Sequence, residues 1–189
     1  MRVVALDQST TSTGCGLFNN DTLIDYILIK PKVSKRVDVI TIENEPHLCN
    51  IKMPEELYGT TLCRTTAIAD QFELIIKKFK PDVVYFEEIF ENKNPKFSNP
   101  KGFRSLARLQ GFICHICHQN NIRYVIVEEN KWINSFGRYG SDVSRSERKA
   151  DIMKKMNDLY GLEIKTDDVS DAIAIGTYAI NVEKENKNG

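Results

Sequence analysis

No apolar run in this 189-residue chain approaches the length of a bilayer span, so no membrane-crossing helix is expected. A leader pattern is lacking too. The first residues already read as a strand, and the expected location is the cytoplasm. Cysteine is sparse, five and therefore odd in number, with no disulfide-like frame; this suits a reducing compartment. Repeats and composition breaks are absent, so residues 1–183 are expected to form a single domain, with a polar, frayed tail at 184–189. Net charge is also absent. The 26 basic and 26 acidic residues cancel, which by itself argues against a nucleic-acid partner.

The charges that are there tell more than their sum. Residues 92–155 hold 13 Lys/Arg against 5 Asp/Glu, leaving 13 basic and 21 acidic residues elsewhere. A basic half beside an acidic cluster suits a metal-dependent enzyme acting on phosphodiesters, whereas a chance grouping on a solvated face is the plainer explanation. Hydrophobic content of 41% and charged content of 28% are enough for a sizeable core.

Periodicity orders the elements. Residues 2–6, Gly14–Phe18 and Thr22–Lys30 read as three strands, with Asn19-Asn20-Asp21 as a turn. Residues 31–53 carry Val37, Val39, Ile40 and Ile42, but Pro31, Pro46 and mixed charges leave them undecided between an extended hairpin and an insertion. Pro54 starts a helix that Pro81 stops, with Ile68, Phe72, Ile75, Ile76 and Phe79 at helical spacing. Val83–Glu88 is apolar on both faces and reads as a central parallel strand. A polar loop at 91–101 precedes a helix at 102–119, whose broad apolar surface is wide enough for a core and a partner. A strand at 123–128, a short helix at 130–136, a basic helix at 144–160 and a last helix at 168–183 complete the order. The expected fold is α/β: a five-stranded mixed sheet, three strands in an antiparallel meander and two parallel, flanked by helices.

Four carboxylates sit where elements enter or leave that core. Asp7 ends the first strand and Glu87 ends another, while Asp168 and Asp171 lie three residues apart on one face of the last helix. Uncompensated negative charge is costly there, and four clustered carboxylates repel unless a cation holds them. Hard divalent ions with oxygen ligands, Mg²⁺ above all, meet that demand. Plainer accounts exist for each motif. Asp7-Gln-Ser-Thr-Thr-Ser-Thr-Gly14 is also a turn-forming run, Glu87-Glu88 also a surface pair, and Asp168 also a helix cap. A cap does not account for Asp171, one turn further in. Cys114-His-Ile-Cys-His118 matches a haem-attachment spacing, but it lies inside an amphipathic helix pattern. No second Cys/His pair has zinc-ligand spacing, so packing is the expected role and no haem is expected.

Taken together these motifs resemble the RuvC family of Holliday junction resolvases, within the RNase H-like superfamily. Asp7 matches the family's first-strand Asp. Glu87 in Glu87-Glu-Ile-Phe90 matches its Glu-x-Val-Phe, and Asp168 and Asp171 match Asp-x-x-Asp-Ala-x-Ala. Gly102–Gly111 resembles the helix that follows the catalytic Glu. The longer 31–53 segment suggests a bacteriophage or mobile-element version, which would place it in the host cytoplasm. The resemblance implies an RNase H-like fold and a homodimer acting on four-way DNA. It implies catalysis by Asp7, Glu87, Asp168 and Asp171, which would hold two Mg²⁺, with Mn²⁺ able to substitute. It further implies paired nicks that leave 5′-phosphate and 3′-hydroxyl ends. Lys131, Arg148 and Lys149, with Arg104 and Arg108, are the expected phosphate contacts, and Phe90 is expected either to stack on an unpaired base or to cap the core. The alternatives are a looser phage flap or branched-DNA nuclease of the same fold, an ATP-binding protein of the actin-like superfamily, and an inactive DNA-binding scaffold. The actin-like reading lacks a second phosphate turn and a Gly-rich adenosine motif. The presence of all four carboxylates speaks against the scaffold.

Overall fold

A computed structural model describes residues 1–90, 99–140 and 143–188. Strands β1 (Arg2–Asp7), β2 (Thr13–Asn19) and β3 (Thr22–Val33) form the expected meander. Strands β6 (Val83–Glu87) and β7 (Arg123–Val127) then add in parallel beside β1. The sheet has seven strands rather than five, because residues 31–53 are not left over. They extend β3 and supply β4 (Thr41–Glu45) and β5 (Leu48–Met53), giving the order β4-β5-β3-β2-β1-β6-β7.

Pro31 was one reason to doubt a strand there, and the register explains why it is tolerated. The N–H of Leu28 points at β5, where it donates to His47 O at 2.9 Å. Odd-numbered residues of β3 therefore face β2. β2 pairs with β3 only as far as Ile29, so the missing N–H of Pro31 falls beyond the end of the ladder.

Strand β1 shows why hydrophobic alternation is missing from the sequence here. Val3, Val4, Ala5 and Leu6 are all fully buried, since helices cover both faces. Val4 and Leu6 pack with Ile68, Phe72, Leu109 and Ile113 on one side. Those residues come from α2 (Thr61–Phe79) and α3 (Pro100–Gln119). Val3 and Ala5 pack on the other side with Trp132, Ile152 and Ile173. These belong to α4 (Glu129–Asn134), α5 (Arg145–Tyr160) and α6 (Asp167–Asn188). The helix expected from Pro54 onward is broken: Glu55–Tyr58 makes one turn, α1, and the chain restarts at Thr61 after Gly59 and Thr60. The last helix runs further than the sequence suggests: α6 continues through the exposed polar residues 184–187 to Asn188. Most of the expected 91–101 loop lies outside the described residues; Asn99 caps α3, accepting from Gly102 N at 2.9 Å. Cys117 is fully buried between α3 and the sheet, its thiol pushed up to about 12 by burial. Among the described residues, no helix is long and apolar enough to cross a membrane.

Candidate active site

Strand parity decides which carboxylates meet. Leu6 of β1 lies beside Phe86 of β6 in parallel register, so the next residues, Asp7 and Glu87, leave the sheet side by side. Both continue the odd-numbered face, with Val3, Ala5, Val83 and Tyr85, on which α6 packs. Glu87, not Glu88, therefore faces the α6 layer. The first turns of α6 reach the same place because β2 offers a glycine. A Cβ on Gly14, the β2 partner of Asp7, would sit 1.9 Å from the main-chain oxygen of Asp168. Only a bare backbone lets the helix approach so closely. Asp171 follows one turn later, 6% exposed.

Asp7, Glu87 and Asp171 line a small cavity of about 40 Å³, together with Glu129, Trp132, Arg145, Arg148 and Lys149. It opens beside a broader cleft of about 510 Å³ that runs past Gln8, Glu88 and Ile89 to Phe90 and Leu106. Burial first, and charge crowding after it, raises all four carboxyls. Burial, then the charges of Asp171, Glu87 and Asp168, holds the Asp7 carboxyl well above the usual range. Burial and the neighbouring Glu129 raise Glu87 to about 7. Asp171 rises to about 6 through burial, against the pull of Lys149. Asp168 is raised mainly by burial, with the charge of Asp167 adding to it and Lys149 opposing it. Each ionised form is disfavoured, so a cation arriving here removes an existing penalty.

The donor set fits a hard divalent ion: carboxylate oxygens, one of them, Asp171 Oδ1, buried without a hydrogen-bond partner. The site is not a ready-made cage, however. Among the described residues no three acidic, His or Cys side chains converge tightly enough to enclose an ion. Lys149 takes up part of the negative charge instead, its Nζ pairing with Asp167 and lying 3.4 Å from Asp171 Oδ2. Glu87 is held from three sides. Gln8 Nε2 and Gln110 Nε2 donate to its main-chain oxygen at 2.9 and 3.2 Å, and Trp132 Nε1 donates to Oε2 at 3.0 Å.

Comparison with known proteins decides the family. Residues 40–181 match the family described as Lactococcus phage M3 protein, DUF3882. The crossover junction endodeoxyribonuclease RuvC of Caldicellulosiruptor saccharolyticus is 30% identical over 180 residues, covering 93% of this chain and 89% of that protein. This chain belongs to the RuvC family. The Fusobacterium nucleatum RuvC is 28% identical over 190 residues, 96% of this chain and 80% of its own length. In fold the chain is similar to Thermus thermophilus RuvC in complex with Holliday junction substrate, with a TM-score of 0.65 at 13% identity, over 97% of this chain and 96% of that one. The yeast mitochondrial Holliday junction resolvase gives 0.54 at 12% identity, over 99% and 80%. The architecture is thus the RNase H-like fold of RuvC, with a seven-stranded sheet.

Within this family member the expected site residues divide. Asp7, Glu87 and Asp171 share the small cavity with Arg148 and Lys149. Asp168 lines neither that cavity nor the broader cleft, though its charge reaches Asp7. Phe90 is 63% exposed at the cleft, so it does not cap the core. Lys131 lies outside both cavities, paired with Glu128 at 3.1 Å. Arg104 and Arg108 are exposed on α3 and line neither cavity. Five residues went unnoticed in the sequence: Gln8, Gln110, Glu129, Trp132 and Arg145. Arg145 had a signal, lying one turn before Arg148 on a basic helix. Glu129 and Trp132 had a weaker one, since they follow β7, and sites gather at the carboxyl ends of parallel strands. Gln8 and Gln110 act through a main-chain carbonyl and leave no pattern.

Proposed function

We propose that this chain is a structure-selective endonuclease that resolves Holliday junctions by paired nicks, using divalent metal held by Asp7, Glu87, Asp168 and Asp171. The single observation carrying this reading is the convergence of Asp7, Glu87 and Asp171 in a cavity walled by Arg145, Arg148 and Lys149, in a member of a family whose curated relatives are named crossover junction endodeoxyribonucleases. Bound there, two Mg²⁺ or Mn²⁺ would activate water and stabilise the leaving 3′-oxygen, leaving 5′-phosphate and 3′-hydroxyl ends.

The protein's own groups do the rest. Arg148 carries a buried Nε with no hydrogen-bond partner, a donor suited to a phosphate oxygen. Arg145 stands beside it in both cavities. Lys149, paired with Asp167 and 3.4 Å from Asp171, offsets part of the carboxylate charge. Lys131, Arg104 and Arg108, exposed and further out, would meet phosphates of the junction arms. Phe90, at the open end of the cleft, would stack on a base unpaired at the crossover.

The homodimer belongs to the same reading. Tyr124 and Ile126 of β7 are 41% and 44% exposed on the α3 side of the sheet, extending the apolar surface of α3. A two-fold pair through that face would set two sites on two symmetric strands. The match to a phage protein family supports a phage-encoded enzyme working in the host cytoplasm. Membership of the RuvC family leaves the actin-like ATP-binding alternative without support.

The test is to incubate the protein with a synthetic four-way junction, a flap and a linear duplex, each with Mg²⁺, Mn²⁺ or EDTA. Symmetric paired nicks in the junction are expected with either ion and none with EDTA. Asp7→Asn, Asp168→Asn and Asp171→Asn should bind the junction and not cut it. Faster cleavage of the flap would favour the looser branched-DNA nuclease. Cleavage by all three variants would refute the site.

A further inference from the structure

Trp132 is the single tryptophan of the chain, 2% exposed, in the core on the α6 face of the sheet. Packing there asks for a large flat ring but not for an indole N–H. A buried N–H is costly unless it finds an acceptor, and most core positions avoid the problem by using Phe or Leu. Here the acceptor is Glu87 Oε2, at 3.0 Å. Among the described residues two other side chains hydrogen-bond Glu87, Gln8 and Gln110, and both hold its main-chain oxygen. They fix where the strand ends but not how the carboxylate turns. Among the described residues only the indole hydrogen-bonds the side chain, and it does so at one oxygen of a carboxylate that lines the cavity with Asp7 and Asp171.

We propose that Trp132 is a positioning residue for Glu87: its indole N–H pins one carboxylate oxygen so that the other is presented to the cavity, and this sets the affinity of the site for a divalent cation. The inference rests on the reading of that cavity as a metal site. Groups that orient a metal ligand from behind typically change affinity 10–100-fold when lost. Trp132 occupies that place, behind Glu87 and bonded to its carboxylate.

The experiment separates the N–H from the ring. Benzothienylalanine incorporated at position 132 keeps the bicyclic shape and replaces the N–H by sulfur; Trp132→Phe is the second variant. Each is titrated with Mn²⁺ by calorimetry, beside the wild type and Glu87→Gln, and each is melted in EDTA. The benzothienyl protein should melt close to the wild type, bind Mn²⁺ about tenfold more weakly, and bind a four-way junction unchanged in EDTA. Trp132→Phe should show the same tenfold loss. The wild-type indole adds a spectroscopic signature, since Mg²⁺ should shift its emission and should not do so in Glu87→Gln. Mn²⁺ affinity within twofold of wild type in the benzothienyl and Phe variants, with Glu87→Gln clearly weakened, would overturn the role of Trp132 alone. Unchanged affinity in Glu87→Gln would overturn the metal-site reading with it.

Discussion

Glu87→Gln should end cleavage and yet make the metal-free protein more stable at alkaline pH. Burial and Glu129 lift the Glu87 carboxyl from its usual 4.5 to about 7. Holding the ionised form in the folded protein therefore costs roughly 3 kcal/mol, at about 1.4 kcal/mol per pH unit. The sign follows from proton linkage. Between pH 4.5 and about 7 the folded state keeps a proton that the unfolded state gives up, so this carboxyl's contribution to stability is full below 4.5 and lost as pH rises through 7. Gln is neutral throughout and still offers Trp132 an acceptor, though its amide group sits less well among carboxylates. A net gain of about 1–3 kcal/mol at pH 8 is expected after that mismatch, or about 3–10 °C in Tm for a chain of this size. At pH 5 the gain should shrink below about 1 kcal/mol, because the wild-type carboxyl is then protonated in the fold. Thermal melts in EDTA at both pH values, with wild type and variant side by side, measure the difference directly. A variant less stable than wild type at pH 8, or one stabilised equally at both pH values, would refute the argument that this site stores charge repulsion for a cation to relieve. Saturating Mg²⁺ should close the gap from the other side, stabilising the wild type and not the variant.

Three further outcomes follow from the same geometry. Gly14→Ala should lower stability by about 1–3 kcal/mol in denaturant melts and remove cleavage, because its methyl group meets the rigid backbone of Asp168 and pushes the start of α6 off the sheet. Phe90→Ala should change stability by no more than the roughly 0.5 kcal/mol of a surface substitution, since the ring is 63% exposed; cleavage should slow more on a fully paired junction than on one with unpaired bases at its centre. Arg148→Ala should weaken junction binding and reduce the slope of log affinity against log salt by about one, while Lys131→Ala, whose ammonium already pairs with Glu128, should change the slope less.

The amino-acid order alone determined the element types over most of the chain, the meander of β1 to β3, the parallel strand ending in Glu87, and the four carboxylates in their sequence. These are local or periodic properties. An apolar run with a charge at its end reads as a strand entering a site whatever surrounds it, and two Asp residues three apart share a helix face wherever the helix lies. What the sequence could not determine depends on neighbours distant in the chain. Pro31 looks like a strand breaker until the end of β2 at its side is known; with Pro46 and the mixed charges it left residues 31–53 undecided, and only long-range pairing with β3 shows that two strands lie there. Glu87 and Glu88 are equivalent until the register with β1 assigns the odd-numbered face to α6. Gln8 and Gln110 carry no motif and Trp132 only its place after β7, because their partner is one residue at a strand end that three separate segments reach only after folding. Lys149 reads as a phosphate contact in the sequence, but packing of α5 on α6 turns its ammonium onto Asp167 and Asp171. Periodicity reports which face of an element is buried. Only the tertiary structure brings particular polar atoms within hydrogen-bonding distance, and that proximity decides which charges are shared, which are orphaned and which must wait for a ligand.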